Sequence, residues 1–296
     1  MSVNTLDVKL NHRTGASPNV EITESTLEIL RLIFEFKLAS ACHIARFLNG
    51  QDQSRYIYRK LRLMWQAGLL ESFKVFPGSM AGAVIYYMLS EQGLKFLARQ
   101  KPVEQDSLGN YPVAQTLMDW GLFKHEAQIV ELASLESKNK SAGLAISFSG
   151  EQGSRSTDYK AGKTIEALSP DYIVVYKTPQ GQQKVYTEFE RTRKSNEAML
   201  DKIQRYFDFL PPEDYQKSIL RLVFQKPAME RNFWLNIFKF RATLLRLNIL
   251  TTNLDLISGH ENFLGPIYAS EDTVELIRGE NLKAAIPQRI KLFEPL

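Results

Sequence analysis

Cysteine is almost missing from this sequence. Cys42 alone excludes an internal disulfide framework and any multi-cysteine zinc site, and it points to a reducing, cytoplasmic setting. Beside His43 on an expected helix, it reads as packing rather than as a nucleophile. No run of about 18 apolar residues occurs, so no membrane span is expected. Met1 to Val20 is polar and lacks the apolar stretch of a secretory signal. There is no Gly-x-x-x-x-Gly-Lys-[Ser/Thr] loop, so ATP hydrolysis by this chain is not expected. Nor is there a large charge excess: 37 Lys and Arg stand against 33 Asp and Glu. The surplus is local, however. Residues 1–100 hold 12 basic and 8 acidic side chains, whereas residues 101–296 hold 25 of each. A polyanionic partner would therefore meet the N-terminal third.

What is present is an ordinary globular composition, 44% hydrophobic and 24% charged, in a chain long enough for two domains. Residues 1–21 read as a flexible polar tail. A helix opens at Thr23-Glu24-Ser25 and carries Leu27, Leu30, Ile33 and Phe34 at helical spacing. Ala41 to Leu48 is a second helix. Arg55 to Ala67 is a third, with Ser54 as N-cap and Gly68 as its stop. Two strand-like runs, Leu70 to Phe76 and Ala83 to Met88, flank a Pro- and Gly-rich turn, and Ser90 to Leu97 reads as a closing helix.

Three helices and a hairpin over residues 22–100 resemble a winged helix-turn-helix. The resemblance implies a third helix entering a DNA groove with Arg55, Tyr56, Tyr58, Arg59, Lys60 and Arg62, and a wing carrying Lys74. The other reading of the same residues is a winged helix used for protein contact, with a solvated charged face.

Residues 101–116 are rich in polar residues and proline and read as a linker. From 117 to 296 the pattern is that of a second domain. Gly121 to Leu132 is an amphipathic helix, Gly143 to Phe148 a strand, and 150–163 a Gly-rich polar loop. Pro170 to Tyr176 and Lys184 to Thr192 are β-type runs joined by a polar turn, which makes a hairpin. Ser195 to Leu210 is a helix stopped by Pro211-Pro212. Ser218 to Phe224 is a strand, Glu230 to Asn248 a long helix, and Ile249 to Ile257 a further strand.

The hairpin concentrates acids. Asp171 opens its first strand, and Glu188 and Glu190 close its second, two residues apart and therefore on one face. Carboxylates gathered this way repel one another unless a cation neutralises them, and clustered acids suit Mg²⁺ or Mn²⁺ in phosphodiester hydrolysis. A half-buried hairpin with solvated acids at one end fits the same residues.

Pro170-Asp171 on one strand and Glu188-x-Glu190 on the next resemble the PD-(D/E)xK nuclease superfamily, whose hairpin carries Pro-Asp and then (Asp/Glu)-x-Lys. Glu190 stands where that family usually has lysine, which leaves Lys184, Lys194 or Lys202 to supply a displaced ammonium. The order helix, three strands, helix, strand between Leu117 and Phe224 is that of the restriction-endonuclease-like core. The expectation is thus an α+β protein, a winged helix-turn-helix followed by an α/β restriction-endonuclease-like domain. With the winged helix, the run His125-Glu126, Pro170-Asp171, Glu188-Phe189-Glu190-Arg191-Thr192, Lys202 and Tyr206 is similar to the replication-relaxation family of plasmid and integrative-element proteins. That resemblance implies kinship with MOBC-type conjugative relaxases. The common relaxase class uses a His-hydrophobic-His metal pair, and His12, His43, His125 and His260 contain none.

What the resemblances imply is a metal-dependent endonuclease or nickase acting on double-stranded DNA at an origin of transfer or replication. Asp171 and Glu188 would hold Mg²⁺ or Mn²⁺, with Glu190 as second-metal ligand or general base. Glu126 or Glu131 would be the extra acid of the first helix, and Lys202 would steady the scissile phosphate or the attacking water. Arg191, Arg193, Lys194 and Arg205 would hold the DNA backbone. Tyr206 is either a nucleophile or a core tyrosine packed under the sheet. Other relaxosome or replication proteins and a second copy of the chain are the expected partners. The competing expectation is a DNA-binding replication or transcription regulator whose nuclease-like domain is inert.

Overall fold

A computed structural model describes residues 8–13, 18, 20–76, 83–100, 111–117, 119–141, 145–154, 168–178, 181–215, 217–237, 248–259, 263, 268, 274–278 and 282–287. It is an α+β fold whose contacts divide it into two units: 1–141 with 149–162, and 142–148 with 163–296.

In unit 1 the helices start where side chains can cap them. Thr23 and Ser40 each form a capping box at the start of α1 (Glu24–Phe36) and α2 (Ala41–Asn49), and Ser54 Oγ accepts the Ile57 N–H of α3 (Arg55–Gln66). Gly50 ends α2 with φ 68, a left-handed position that glycine adopts without strain. The core stripe of α1 is Ile29, Leu30 and Ile33, all fully buried. A four-stranded sheet lies beside these helices in the order β1-β3-β4-β2. Its centre is an antiparallel hairpin of β3 (Leu70–Val75) and β4 (Val84–Leu89), with β2 (Ala39–Ser40) on β4. Its other edge is β1 (Val8–Leu10) on β3. Residues 8–13 therefore differ from the expected loose tail. They satisfy the open backbone edge of β3, and Arg13 adds bonds to the Trp65 and Leu70 carbonyls and to Glu71. Helix α4 (Glu91–Gln100) follows β4.

Helix α5 (Trp120–Ser141) is longer than expected and packs in unit 1, on α2. Polar side chains fasten the two. His43 Nε2 lies 2.7 Å from Glu131 Oε2, and Arg46 Nη1 donates to Glu131 Oε1 at 2.8 Å. His43 Nδ1 accepts the Ser40 N–H, so the Nε2 nitrogen carries the proton given to Glu131.

Unit 2 is built on a sheet of order β5-β6-β7-β8-β9. Strands β6 (Tyr172–Thr178) and β7 (Gly181–Glu190) form the expected antiparallel hairpin, with Gly181 at φ 117 where a side chain would be strained. Strands β8 (Ser218–Phe224) and β9 (Asn248–Asn253) continue it in parallel. Every residue of β8 is buried, as a parallel strand covered on both faces requires. The connections that make this parallelism are α6 (Asn196–Phe209) between β7 and β8, and α7 (Pro227–Ile237) after β8. Met199, Ile203 and Tyr206 of α6 join Leu220, Leu222, Phe233 and Trp234 in one apolar core.

Strand β5 (Ala145–Gly150) completes the expected order of helix, three strands, helix, strand, although its opening helix belongs to unit 1. The expected strand to Ile257 is shorter. It gives way at Leu254 to α8 (Leu254–Gly259), because Asn253 Oδ1 accepts the Leu256 N–H and caps the helix. A hairpin of β10 (Val274–Arg278) and β11 (Leu282–Pro287) forms a separate sheet. The turn expected at 77–82, linker residues 101–110, most of the loop expected at 150–163, and positions 238–247 of the expected long helix lie outside the described residues.

Candidate active site

Alternation along β7 sends Tyr186, Glu188 and Glu190 to one face of the strand, and helix α6 covers that face. Ser195 caps α6 by accepting the Ala198 N–H, which fixes the helical phase. Lys202 and Tyr206 then fall one turn apart on the side facing β7. Lys202 Nζ donates to Glu188 Oε2 and to Glu190 Oε1, both at 2.6 Å. Tyr206 donates its hydroxyl to the other Glu188 oxygen at 2.7 Å. Lys194 Nζ reaches Glu190 at 3.0 Å from the loop that leaves β7. Asp171, just ahead of β6, accepts the Phe189 N–H at 2.5 Å, and its charge is felt at Glu188.

Burial sets the electrostatics. Glu188 and Glu190 are 7% and 1% exposed. Desolvation raises the Glu188 carboxyl above its usual range, and Asp171 pushes the same way against the opposing Lys202 ammonium. Burial works against the Lys202 ammonium, but Glu188 and Glu190 outweigh it and raise its pKa. Burial and the neighbouring Lys202 lower that of Lys194. Tyr206, wholly buried and against a carboxylate, is held as a neutral phenol well above its ordinary range.

Five of the residues singled out in the sequence, Asp171, Glu188, Glu190, Lys202 and Tyr206, thus meet in one place. Lys194, expected at the DNA backbone, joins them through Glu190. Glu126 lies in unit 1, where Lys37 Nζ donates to it at 2.6 Å and to Glu151 as well. Glu131 is the α5 acid that bonds His43 and Arg46. Among the described residues no group of three or more His, Cys, Asp or Glu is arranged to hold a metal ion.

A model of the family described as replication-relaxation matches residues 30–219, well over half of the chain, from α1 to the start of β8. The chain belongs to the replication-relaxation family. The matched span contains both the α3 helix and the whole Asp171–Tyr206 group. No curated protein and no solved structure matches the chain.

On α3 the side chains divide by face. Arg55, Tyr56, Tyr58, Arg59 and Arg62 are exposed, as is Lys74 on β3. Lys60 corrects the expectation. It is 9% exposed, and its ammonium donates to Thr23 Oγ1 at 2.7 Å and Tyr56 Oη at 2.9 Å, tying α3 to the start of α1. The helical period puts it beside Ile57, Leu61 and Met64 on the buried face. In unit 2, Arg193 and Arg205 are exposed and Arg191 is half-buried.

Sequence reasoning missed Arg221. This fully buried guanidinium on β8 donates to Thr187 Oγ1 at 2.7 Å and to Tyr172 Oη at 3.0 Å, bracing the two hairpin strands beside the acids. A lone arginine in the run Ser218-Ile219-Leu220-Arg221-Leu222-Val223-Phe224 was the available signal.

Proposed function

We propose that this protein is a DNA nickase of the relaxase kind, related to MOBC-type relaxases. In this reading the N-terminal unit is a winged helix that binds an origin-like duplex, and the Asp171–Glu188–Lys202 group cuts one strand in the manner of a PD-(D/E)xK site. The observation that carries the reading is Lys202, whose ammonium lies 2.6 Å from both Glu188 and Glu190. It supplies from α6 the lysine that the strand itself lacks at position 190. Burying an ammonium against two carboxylates is costly, and such groups gather where chemistry is done.

The donor set fits a divalent cation through two acids rather than the three or four expected from sequence. Asp171 and Glu188 are hard oxygen donors at the end of adjacent strands, and each carboxylate oxygen has a second lone pair beyond its present bond. Glu190 takes its bonds from Lys194 and Lys202, and Glu126 takes its bond from Lys37 within unit 1. Bound there, Mg²⁺ or Mn²⁺ would polarise the phosphate and lower the pKa of a water. The chain's own contribution is positional. Tyr206 and Lys202 fix Glu188, and Lys202 presents positive charge to a phosphate where negative charge develops. Arg59 and Arg62 on α3, with Arg193 near the acids, supply contacts to the DNA backbone.

The full chain should convert a supercoiled plasmid carrying its cognate origin to the open circle with Mg²⁺ or Mn²⁺, and Asp171→Ala should abolish this without weakening duplex binding. Tight binding with no nicking under either metal would overturn the reading. It would leave a regulator with an inert domain, a reading favoured by the engagement of both glutamates by ammonium groups.

A further inference from the structure

Just beyond Glu190 the chain leaves β7 and turns through Thr192 to Ser195 into α6, and a cleft opens beside this turn. Its apolar lining is Met199 and Leu200 from α6, Phe224 from the end of β8, and Met229 and Phe233 from α7. The Phe224 and Phe233 rings lie 5.4 Å apart at 43°. Two cations, Arg193 and Lys194, also line the cleft, and both residues are exposed. The cleft further borders the N-terminus of α6, a helix of 14 residues whose dipole favours negative charge there.

Lys194 belongs to two places at once. It lines the cleft, and its ammonium is 3.0 Å from Glu190 in the acidic group. An occupant that satisfies both would join an apolar body with a polar edge to an anion. A nucleotide has this form. Its base would sit against Met199, Leu200 and the Phe233 ring, its edge would meet the Asn232 amide on α7, and its phosphate would lie at Arg193 and Lys194. Bases in a duplex are stacked and paired, so the occupant has to be an unpaired one.

We propose that this cleft receives one unpaired nucleobase of a DNA strand whose phosphate lies at Arg193 and Lys194. The proposal rests on reading the acidic group as the place where a DNA phosphate is held. It adds that the protein takes its strand unpaired at that point, and that the cleft fixes which phosphate reaches Glu188.

The test compares two single-stranded probes of equal length on the full chain: oligothymidylate and an abasic oligonucleotide with the same phosphates. The wild type should bind the base-bearing probe about 10-fold more tightly, the ratio that stacking of a base contributes. Asn232→Trp, which fills the cleft with an indole, should bring the two affinities within about 2-fold. If that variant does not fold, Asn236→Trp, one turn along α7 and also on the cleft, serves in its place. Equal affinity of the wild type for the two probes, or a base preference that survives a folded tryptophan variant, overturns the proposal. The two readings fail separately. A base preference that responds to Asn232→Trp without any plasmid nicking removes the nickase alone, and nicking without base preference removes the cleft alone.

Discussion

Each unit of this protein buries one lysine between two glutamates. In unit 1, Lys37 sits between Glu126 and Glu151, and in unit 2, Lys202 sits between Glu188 and Glu190. The two ammonium groups are almost equally covered, with side chains 11% and 13% exposed. Both are held ionised more firmly than usual by their glutamates, against the opposing effect of burial. Their surroundings differ. The partners of Lys37 come from 89 and 114 residues away, and its own backbone sits at φ 64, a position that costs roughly 1–3 kcal/mol for a residue with a side chain. Tyr111 donates its hydroxyl to the Lys37 carbonyl at 2.7 Å, which adds a further tie. That triad fastens distant segments of unit 1. The Lys202 triad is local, its partners 14 and 12 residues away, and it has in addition a third acid, a second ammonium and a lined cleft. An ion triad by itself is a mark of burial, and the groups around it are what distinguish a fastening from a site.

The sharpest way to break this comparison is to neutralise one acid in each triad. Glu188→Gln should abolish metal-dependent nicking, whereas Glu126→Gln should leave the rate per folded molecule unchanged. Equal losses would erase the distinction. Removing the cations comes next. Lys37→Met leaves the buried Glu126 and the half-buried Glu151 without their cation and should cost about 3–5 kcal/mol in urea unfolding. Lys202→Met should cost less, because Lys194 still reaches Glu190, and an equal or larger loss would show that Lys194 does not compensate.

A smaller effect is expected from Tyr206→Phe, which strips one buried bond from Glu188 and should cost about 1–3 kcal/mol. Nicking should persist in this variant, and the wild type should form no covalent adduct with DNA on a denaturing gel. An adduct lost on substitution would make Tyr206 the nucleophile after all. The smallest effect concerns the α2–α5 junction of unit 1. Burial works to raise the Glu131 carboxyl, but bonds from His43 and Arg46 outweigh it and lower its pKa from 4.5 to about 2. A carboxyl lowered on folding stabilises the protein above its ordinary pKa, and that stability is lost as the pH falls from 4.5 through about 2. Because the side chain is 43% exposed, solvent screens the effect, and Glu131→Gln should flatten the acid limb of the stability curve only slightly.

Much of the local structure was legible in the residues. Thr23, Ser40 and Ser54 sit where helices begin, and Gly50 sits where one ends, because capping uses neighbouring side chains and backbone. The 171–190 hairpin announced itself through alternation and a turn. Lys60 did not follow its neighbours, since a run of cations says nothing about face until the helical phase is fixed by Ile57, Leu61 and Met64. The edge strand Val8–Leu10 was equally hidden. Three residues carry no period, and only the open side of β3 makes them a strand.

The sequence by itself determined which acids would share a strand face and which lysine and tyrosine would share a helix face, because those relations follow from periods of two and 3.6 residues. Tertiary structure alone decided that the two faces meet, so that Lys202 rather than a residue of β7 stands between Glu188 and Glu190. It also decided that Glu126 pairs with Lys37, and that a cleft opens where β7, β8, α6 and α7 come together. Such pairings depend on how strands and helices pack across long separations, and no local period encodes them.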